Sequence, residues 1–303
     1  MPVAVMFPGQ GAQKQGMGAA WRQDPAWEVV ERAEAVLERP LGELLLDKPL
    51  HRTADAQLAV LLCSLMAWET ARPTLPELVG FGGHSLGQMT ALIAAGTLSF
   101  EDGVRLASRR AEVTQAAADR HPGRMAAMLG ASEEQLEAAL AGAGDSCWLA
   151  NDNAPGQLVV AGTPEGVDAA AEAARAAGVR KIVPLDVDGA FHTPLMTEAR
   201  EAFVSDLASS SFHEVDVPVV SNGDARPYTD ADGWAARLAD HLVQPVRWRQ
   251  SLETLAALGA DSLVEVGPGN ALSGMAKRTV PDVPATQAGQ PDSVPPETVE
   301  ASR

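Results

Sequence analysis

Apolar residues along the chain fall into short unbroken runs and longer stretches of helical period, and their alternation predicts strands interleaved with helices. Val3 to Phe7 is one such run. Pro8-Gly9-Gln10-Gly11 ends it, so it reads as a buried parallel strand. Helical patterns follow over Pro25 to Leu37 and Ala54 to Thr70. Leu78 to Gly82 is a second strand, and it feeds Gly83-His84-Ser85-Leu86-Gly87. A helix then runs to about Ala95 and stops at Gly96. Ser99-Phe100-Glu101-Asp102 opens the next helix with a capping-box-like start, and His121-Pro122-Gly123 closes it.

Residues 123–188 have a pattern of their own. Apolar Met125 to Leu129 precedes a helix capped at Ser132. Two short strands follow, Trp148 to Ala150 and Leu158 to Ala161. A helix from Thr163 to Ala177 and a strand from Lys181 to Leu185 complete the segment. The order β-α-β-β-α-β is ferredoxin-like. Strands at Val217 to Val220 and Ser262 to Val266 follow, with helices from Gly233 to Leu242 and through Arg278. The expected fold is α/β. A large α/β-hydrolase-like domain with a short parallel sheet spans 1–122 and 189–280, and a small ferredoxin-like α+β domain is inserted at 123–188. From Pro281 on there are five prolines, several acids and no aromatic residue, so 281–303 reads as a disordered acidic tail.

Charge narrows the functional classes. The formal net charge of −17 argues against nucleic acid and against an anionic membrane surface. No apolar run approaches the ~18 residues of a membrane span, and Pro8 interrupts the start too early for a signal peptide. A cytoplasmic protein is expected. Cys63 and Cys147 lie far apart in apolar surroundings and read as reduced, buried thiols rather than metal ligands.

Ser85 sits in a G-x-S-x-G frame between a strand and a helix. Such an elbow lifts the hydroxyl out of the sheet and aims the first amides of the helix at whatever it attacks. The bland reading is a plain glycine-rich turn. A serine nucleophile needs a base. Of six histidines, His51, His121 and His213 have polar loop contexts, His84 adjoins the serine as a support, and His241 lies on a polar helix. His192, in Asp188-Gly189-Ala190-Phe191-His192-Thr193-Pro194, follows a strand where the chain returns to the large domain. It is the expected base, the alternative being a hydrogen-bonded loop histidine. On the helix from Ser99 to Asp119, a spacing of 100° per residue puts Arg110 in the middle of the apolar face. A buried guanidinium needs an anionic partner. That partner is either a structural carboxylate or the carboxylate of an acyl substrate.

These residues together resemble the malonyl-CoA:acyl carrier protein transacylases and the free-standing acyltransferases of polyketide synthesis. The resemblance covers about residues 3 to 280. It rests on Phe7 to Gly11, Gly83 to Gly87, Arg110, Asn153-Ala154-Pro155-Gly156-Gln157, Gly189 to His192, Pro245-Val246-Arg247-Trp248 and Glu265-Val266-Gly267-Pro268-Gly269. It implies a ping-pong reaction in which Ser85 takes malonyl from coenzyme A and passes it to the phosphopantetheine thiol of an acyl carrier protein. His192 would be the base, and the amides of Gln10 and Leu86 the oxyanion hole. Arg110, Phe191, His84 and Asn153 would bind substrate. No metal or bound cofactor is implied beyond the coenzyme A thioester, and a monomer is the family default.

Two positions depart from the common family pattern. Gln88 stands where many members have Glu. His241 stands where Gln or Asn is common, at the position whose backbone carbonyl orients the catalytic histidine. Phe191 resembles malonyl-selective rather than methylmalonyl-selective members. An acidic carrier protein docking on an acidic chain needs a local basic patch, for which Arg180-Lys181, Arg247 to Arg249 and Lys277-Arg278 are candidates. Competing readings are a methylmalonyl transferase, a serine hydrolase or thioesterase, a non-catalytic carrier-binding subunit, and the transacylase subunit of a malonate-processing complex.

Overall fold

The computed structural model describes residues 1–187 and 189–293. The chain starts with strand β1 (Val3–Phe7), followed by helices α1 (Glu28–Leu37), α2 (Gly42–Leu46) and α3 (Thr53–Ala71). Strand β2 (Leu78–Gly83) leads through the serine turn to α4 (Gly87–Ala95) and α5 (Phe100–Arg120). A second unit follows: β3 (Arg124–Leu129), α6 (Glu133–Ala143), β4 (Cys147–Ala154), β5 (Gln157–Gly162), α7 (Pro164–Ala176) and β6 (Lys181–Pro184). The chain then forms α8 (Thr197–Ala208), β7 (Val219–Val220), β8 (Pro227–Tyr228) and α9 (Trp234–Asp240). It ends in β9 (Val246–Arg247), α10 (Trp248–Ala257), β10 (Ser262–Val266), α11 (Ala271–Thr279) and β11 (Ala285–Ala288).

Two sheets result. The first has the order β11-β10-β1-β2-β7-β8, parallel except for the β7–β8 pair at its edge. Alternation along β1 serves both of its faces. Val3, Val5 and Phe7 join the core cluster that includes α3, while Ala4 and Met6 join Trp248, Leu252 and Leu255 of α10. Helix α3 is apolar nearly all round because it is buried on nearly all sides. Its Trp68 stands edge-on to Phe7 and Phe81, with ring centroids 6.0 and 5.5 Å apart.

The second sheet has the order β6-β3-β5-β4-β9. Its β3, β4, β5 and β6 pair antiparallel. One face packs Met128, Leu158 and Val160 with Leu136 of α6 and Val167 of α7. The other face carries Met125, Ala127 and Val159 over the serine turn. Ser99 and Ser132 accept hydrogen bonds from the amides of Asp102 and Gln135, so both expected caps are present.

The structure corrects two expectations. Residues 281–293 are not a featureless tail, since Ala285–Ala288 pairs in parallel with Leu263–Val266 and buries Ala288. The β10 edge supplies the hydrogen bonds that this weakly apolar stretch could not earn alone. The rest of the expected tail, 294–303, lies outside the described residues. The second sheet is also not confined to 123–188, because Val246 and Arg247 pair in parallel with Asn151 and Asp152. Arg249, at the start of α10, reinforces the seam. Its Nη2 lies 2.8 Å from an Asp152 oxygen, so this member of a proposed basic patch is already engaged.

Candidate active site

The serine turn is held by close backbone approaches that explain its glycines. A Cβ on Gly87 would sit 2.1 Å from the Phe7 carbonyl oxygen, and one on Gly9 would sit 2.3 Å from that of His84. Strand β1 and the serine turn therefore touch backbone to backbone. Ser85 itself has φ of 54° and His192 has φ of 61°. Both residues occupy the left-handed region, where a non-glycine residue needs its surroundings to hold it.

For Ser85 one such support is Asn222, two residues past the end of β7. Its Oδ1 accepts from the Ser85 amide at 2.8 Å, and its Nδ2 donates to the Gly83 carbonyl at 2.7 Å. Gln88 completes the frame: its Oε1 accepts from the Asn222 amide at 2.8 Å, and its Nε2 donates to the Val220 carbonyl at 3.2 Å. The amide at position 88 thus uses both a donor and an acceptor, which an ionised Glu could not do. Replacing Asn222 with alanine strands a buried amide and a carbonyl, which costs about 1–3 kcal/mol. Thermal unfolding should shift to lower temperature, and the rate of Ser85 acylation should fall with it. Unchanged values of both would remove Asn222 from the frame.

The Ser85 hydroxyl lies 2.8 Å from His192 Nε2. His192 Nδ1 donates to the His241 backbone carbonyl at 2.8 Å, which leaves Nε2 free to accept the serine proton. The His241 imidazole lies against His192 with ring centroids 4.8 Å apart. Burial and, secondarily, the Arg110 charge push the His192 pKa down to about 3. The imidazole is therefore neutral at neutral pH, as a base must be. Burial likewise lowers the pKa of His84 and of His241.

Arg110 is buried, 5% exposed, as its place on the apolar face of α5 requires. Its Nη2 donates to Ser85 Oγ at 3.1 Å and its Nη1 to Gln57 Oε1 at 2.5 Å. Gln57 in turn donates to Thr114 Oγ1 at 3.1 Å. None of the ion pairs among the described residues includes Arg110, so its structural partners are neutral. Burial lowers its pKa to about 10, which leaves it charged at neutral pH. A guanidinium with no counter-ion among the described residues faces the cavity beside the serine.

That cavity, of about 270 Å³, lies between the two sheets. Ser85, His84, Arg110, Phe191 and His192 line it from the first unit, and Asn151, Asn153, Met125 and Val159 from the second. His84 Nε2 donates to Asn153 Oδ1 at 2.8 Å across the cavity. The amides of Gln10 and Leu86 have no hydrogen-bond partner among the described residues. Leu86 is the residue just before α4, and Gln10 belongs to the loop that packs on the serine turn. The structure thus brings together Ser85, His192, Arg110, Phe191, His84, Asn153 and the His241 carbonyl, with Gln10 lining the same cavity and Leu86 adjoining the serine. The sequence reading did not single out Asn222, Gln57 or Thr114. For Asn222 the available signal was Ser221-Asn222-Gly223 directly after an expected strand. Among the described residues no group of three or more His, Cys, Asp or Glu is arranged to hold a metal ion, and no helix is long and apolar enough to cross a membrane.

A hydroxyl, a neutral imidazole, two unpaired amides and a cation around one cavity form a site equipped to pass an acyl group through serine. Comparison with known proteins gives the same class. The family described as an acyl transferase domain matches residues 5–297, and the chain belongs to it. A malonyl CoA-acyl carrier protein transacylase from Bacillus subtilis is 35% identical over 302 residues, covering 96% of this chain and 95% of the relative. The crystal structure of a malonyl-CoA:acyl carrier protein transacylase from Xanthomonas oryzae superposes with a TM-score of 0.90 at 36% identity, covering 95% of each chain. A malonyl-transacylase solved in complex with its type II polyketide acyl-carrier protein also superposes with a TM-score of 0.90, at 31% identity over 96% of each chain.

Proposed function

We propose that the protein moves a malonyl group from coenzyme A to the phosphopantetheine thiol of an acyl carrier protein through a malonyl-Ser85 intermediate. The observation that carries this reading is the 3.1 Å contact between Arg110 Nη2 and Ser85 Oγ. A guanidinium that touches the nucleophile can hold only a carboxylate lying close to the carbonyl under attack. A diacid with one carbon between its carboxyl groups fits that span, and longer diacids overshoot it.

Ser85 Oγ attacks the thioester carbon while His192 Nε2 takes its proton. The carbonyl oxygen becomes an oxyanion and accepts from the Gln10 and Leu86 amides. Collapse of the adduct breaks the carbon–sulfur bond, and His192 returns the proton to the coenzyme A sulfur. The carrier thiol then attacks malonyl-Ser85, gives its proton to His192, and leaves as malonyl-carrier when His192 reprotonates Ser85. Arg110 holds the malonyl carboxylate throughout, and Phe191 and the His84–Asn153 pair wall the acyl chamber. These steps call on coenzyme A as substrate and on no resident cofactor.

The same reading takes the first unit as α/β-hydrolase-like and the second as a ferredoxin-like insertion, supported by the antiparallel order β6-β3-β5-β4. It places the protein in the cytoplasm as a monomer. Intact-protein mass after mixing with malonyl-CoA, acetyl-CoA and succinyl-CoA tests the proposal. A malonyl adduct that disappears when holo-carrier is added is expected, with much less acetyl and no succinyl adduct. No malonyl adduct, or an adduct lost to water as fast without carrier, would overturn it; the latter would indicate a thioesterase.

A further inference from the structure

The Gln10 loop poses a mechanical problem. An oxyanion donor must be fixed before the reaction, because a donor that moves into place during it loses much of its advantage. The Gln10 amide lies in a loop, outside any strand or helix. Its neighbours are secured: the Gly11 amide donates to Gln13 Oε1 at 2.6 Å, and that of Ala12 to the Gly9 carbonyl at 3.3 Å. Gly9 packs on the His84 carbonyl. Among the described residues, Gln10 itself has one hydrogen bond to the rest of the fold. Its side-chain Nε2 donates to Thr53 Oγ1 at 3.1 Å.

We propose that Thr53 is a positioning residue for the oxyanion pocket, holding the Gln10 side chain and through it the Gln10 amide. The proposal rests on the reading of Gln10 as an oxyanion donor. Thr53 is 2% exposed, and among the described residues its hydroxyl has no partner other than Gln10. It is the first residue of α3, yet it does not cap that helix, which has no side-chain cap. A buried hydroxyl needs a hydrogen-bond partner, and Gln10 is the one Thr53 has among the described residues.

The helix that carries it gives the placement a second meaning. Gln57, one turn along on the same face of α3, accepts from Arg110. One turn of one buried helix therefore supports both ends of the acyl group, through Thr53 the pocket for its carbonyl oxygen and through Gln57 the clamp for its carboxylate. Helix α3 is the rigid gauge that sets the span between them.

The test uses Thr53→Val, which keeps the shape and removes the hydroxyl, and Thr53→Ser, which keeps the hydroxyl. Single-turnover acylation of Ser85 by malonyl-CoA is followed by intact-protein mass, and malonyl-CoA affinity is measured by calorimetry in a Ser85→Ala background. Thr53→Val should acylate roughly tenfold to a hundredfold more slowly at saturating malonyl-CoA. Its affinity should be unchanged, and Thr53→Ser should stay near the wild-type rate. Wild-type acylation rates in Thr53→Val would overturn the proposal, as would equal losses in both variants or a loss seen only in affinity. If the wild type itself forms no malonyl adduct, the proposed function fails instead, so the two failures are separable.

Discussion

Replacing Ser85 with alanine is expected to abolish the malonyl adduct and to lower carrier malonylation by roughly 10⁵-fold or more, on the scale of nucleophile deletions elsewhere. The fold should survive, because the Ser85 amide still donates to Asn222 and the turn is held by Gly83, Gly87 and Gly9. His192→Ala should come close to the same loss, and the double variant should be no worse than Ser85→Ala. The hydroxyl and the imidazole are 2.8 Å apart and are expected to act as one unit, so their effects should not add. Turnover with purified carrier measures all three. Retention of a malonyl adduct in Ser85→Ala would move the nucleophile elsewhere.

Arg110→Ala should cost at least roughly a hundredfold in kcat/KM for malonyl-CoA, the scale of losing one side of a buried charge pair. Acetyl-CoA has no carboxylate to lose, so its acylation should hold or rise, and the ratio of the two rates is the measurement. A parallel loss with both thioesters would mean that Arg110 supports the fold rather than the substrate. The pH profile gives an independent reading. In the free protein the His192 pKa lies near 3, lowered first by burial and next by Arg110. A base with a depressed pKa stays neutral, and active, as pH falls. The wild-type kcat/KM should therefore show no acid limb near the ordinary histidine value of 6.5. Without Arg110 the burial remains but the positive neighbour is gone, so the acid limb should rise toward that value. An unmoved limb would separate His192 from the charge of Arg110.

Much of this site was legible because its chemistry sits in short, dense motifs. The glycines around Ser85 announced a turn that only glycines permit, and the helical period alone placed Arg110 on a buried face. The element order of residues 123–188 followed from plain alternation and caps. What escaped depends on contacts between distant residues. Asn222 meets Ser85 across 137 positions, and the Ser-Asn-Gly after β7 marks a turn without naming the residue it clamps. Gln57 and Thr53 lie on a helix so apolar that its few polar residues read as interruptions. Strands β9 and β11 span two and four residues, too short for a period, and exist because a partner edge was waiting.

The two residues of β9 bear on how this fold can be recombined. The segment 123–188 looks like a cassette, with one entry and one exit in sequence. Its sheet is nevertheless closed at one edge by Val246 and Arg247 from far downstream, next to the Arg249–Asp152 pair. Transplanting the cassette alone into a related acyltransferase would detach β4 from that edge. Asn151 and Asn153, which line the chamber beside Ser85, sit on the detached strand. The heritable module of this chamber is therefore a discontinuous pair of segments, and a working chimera has to carry 246–249 along with the insertion.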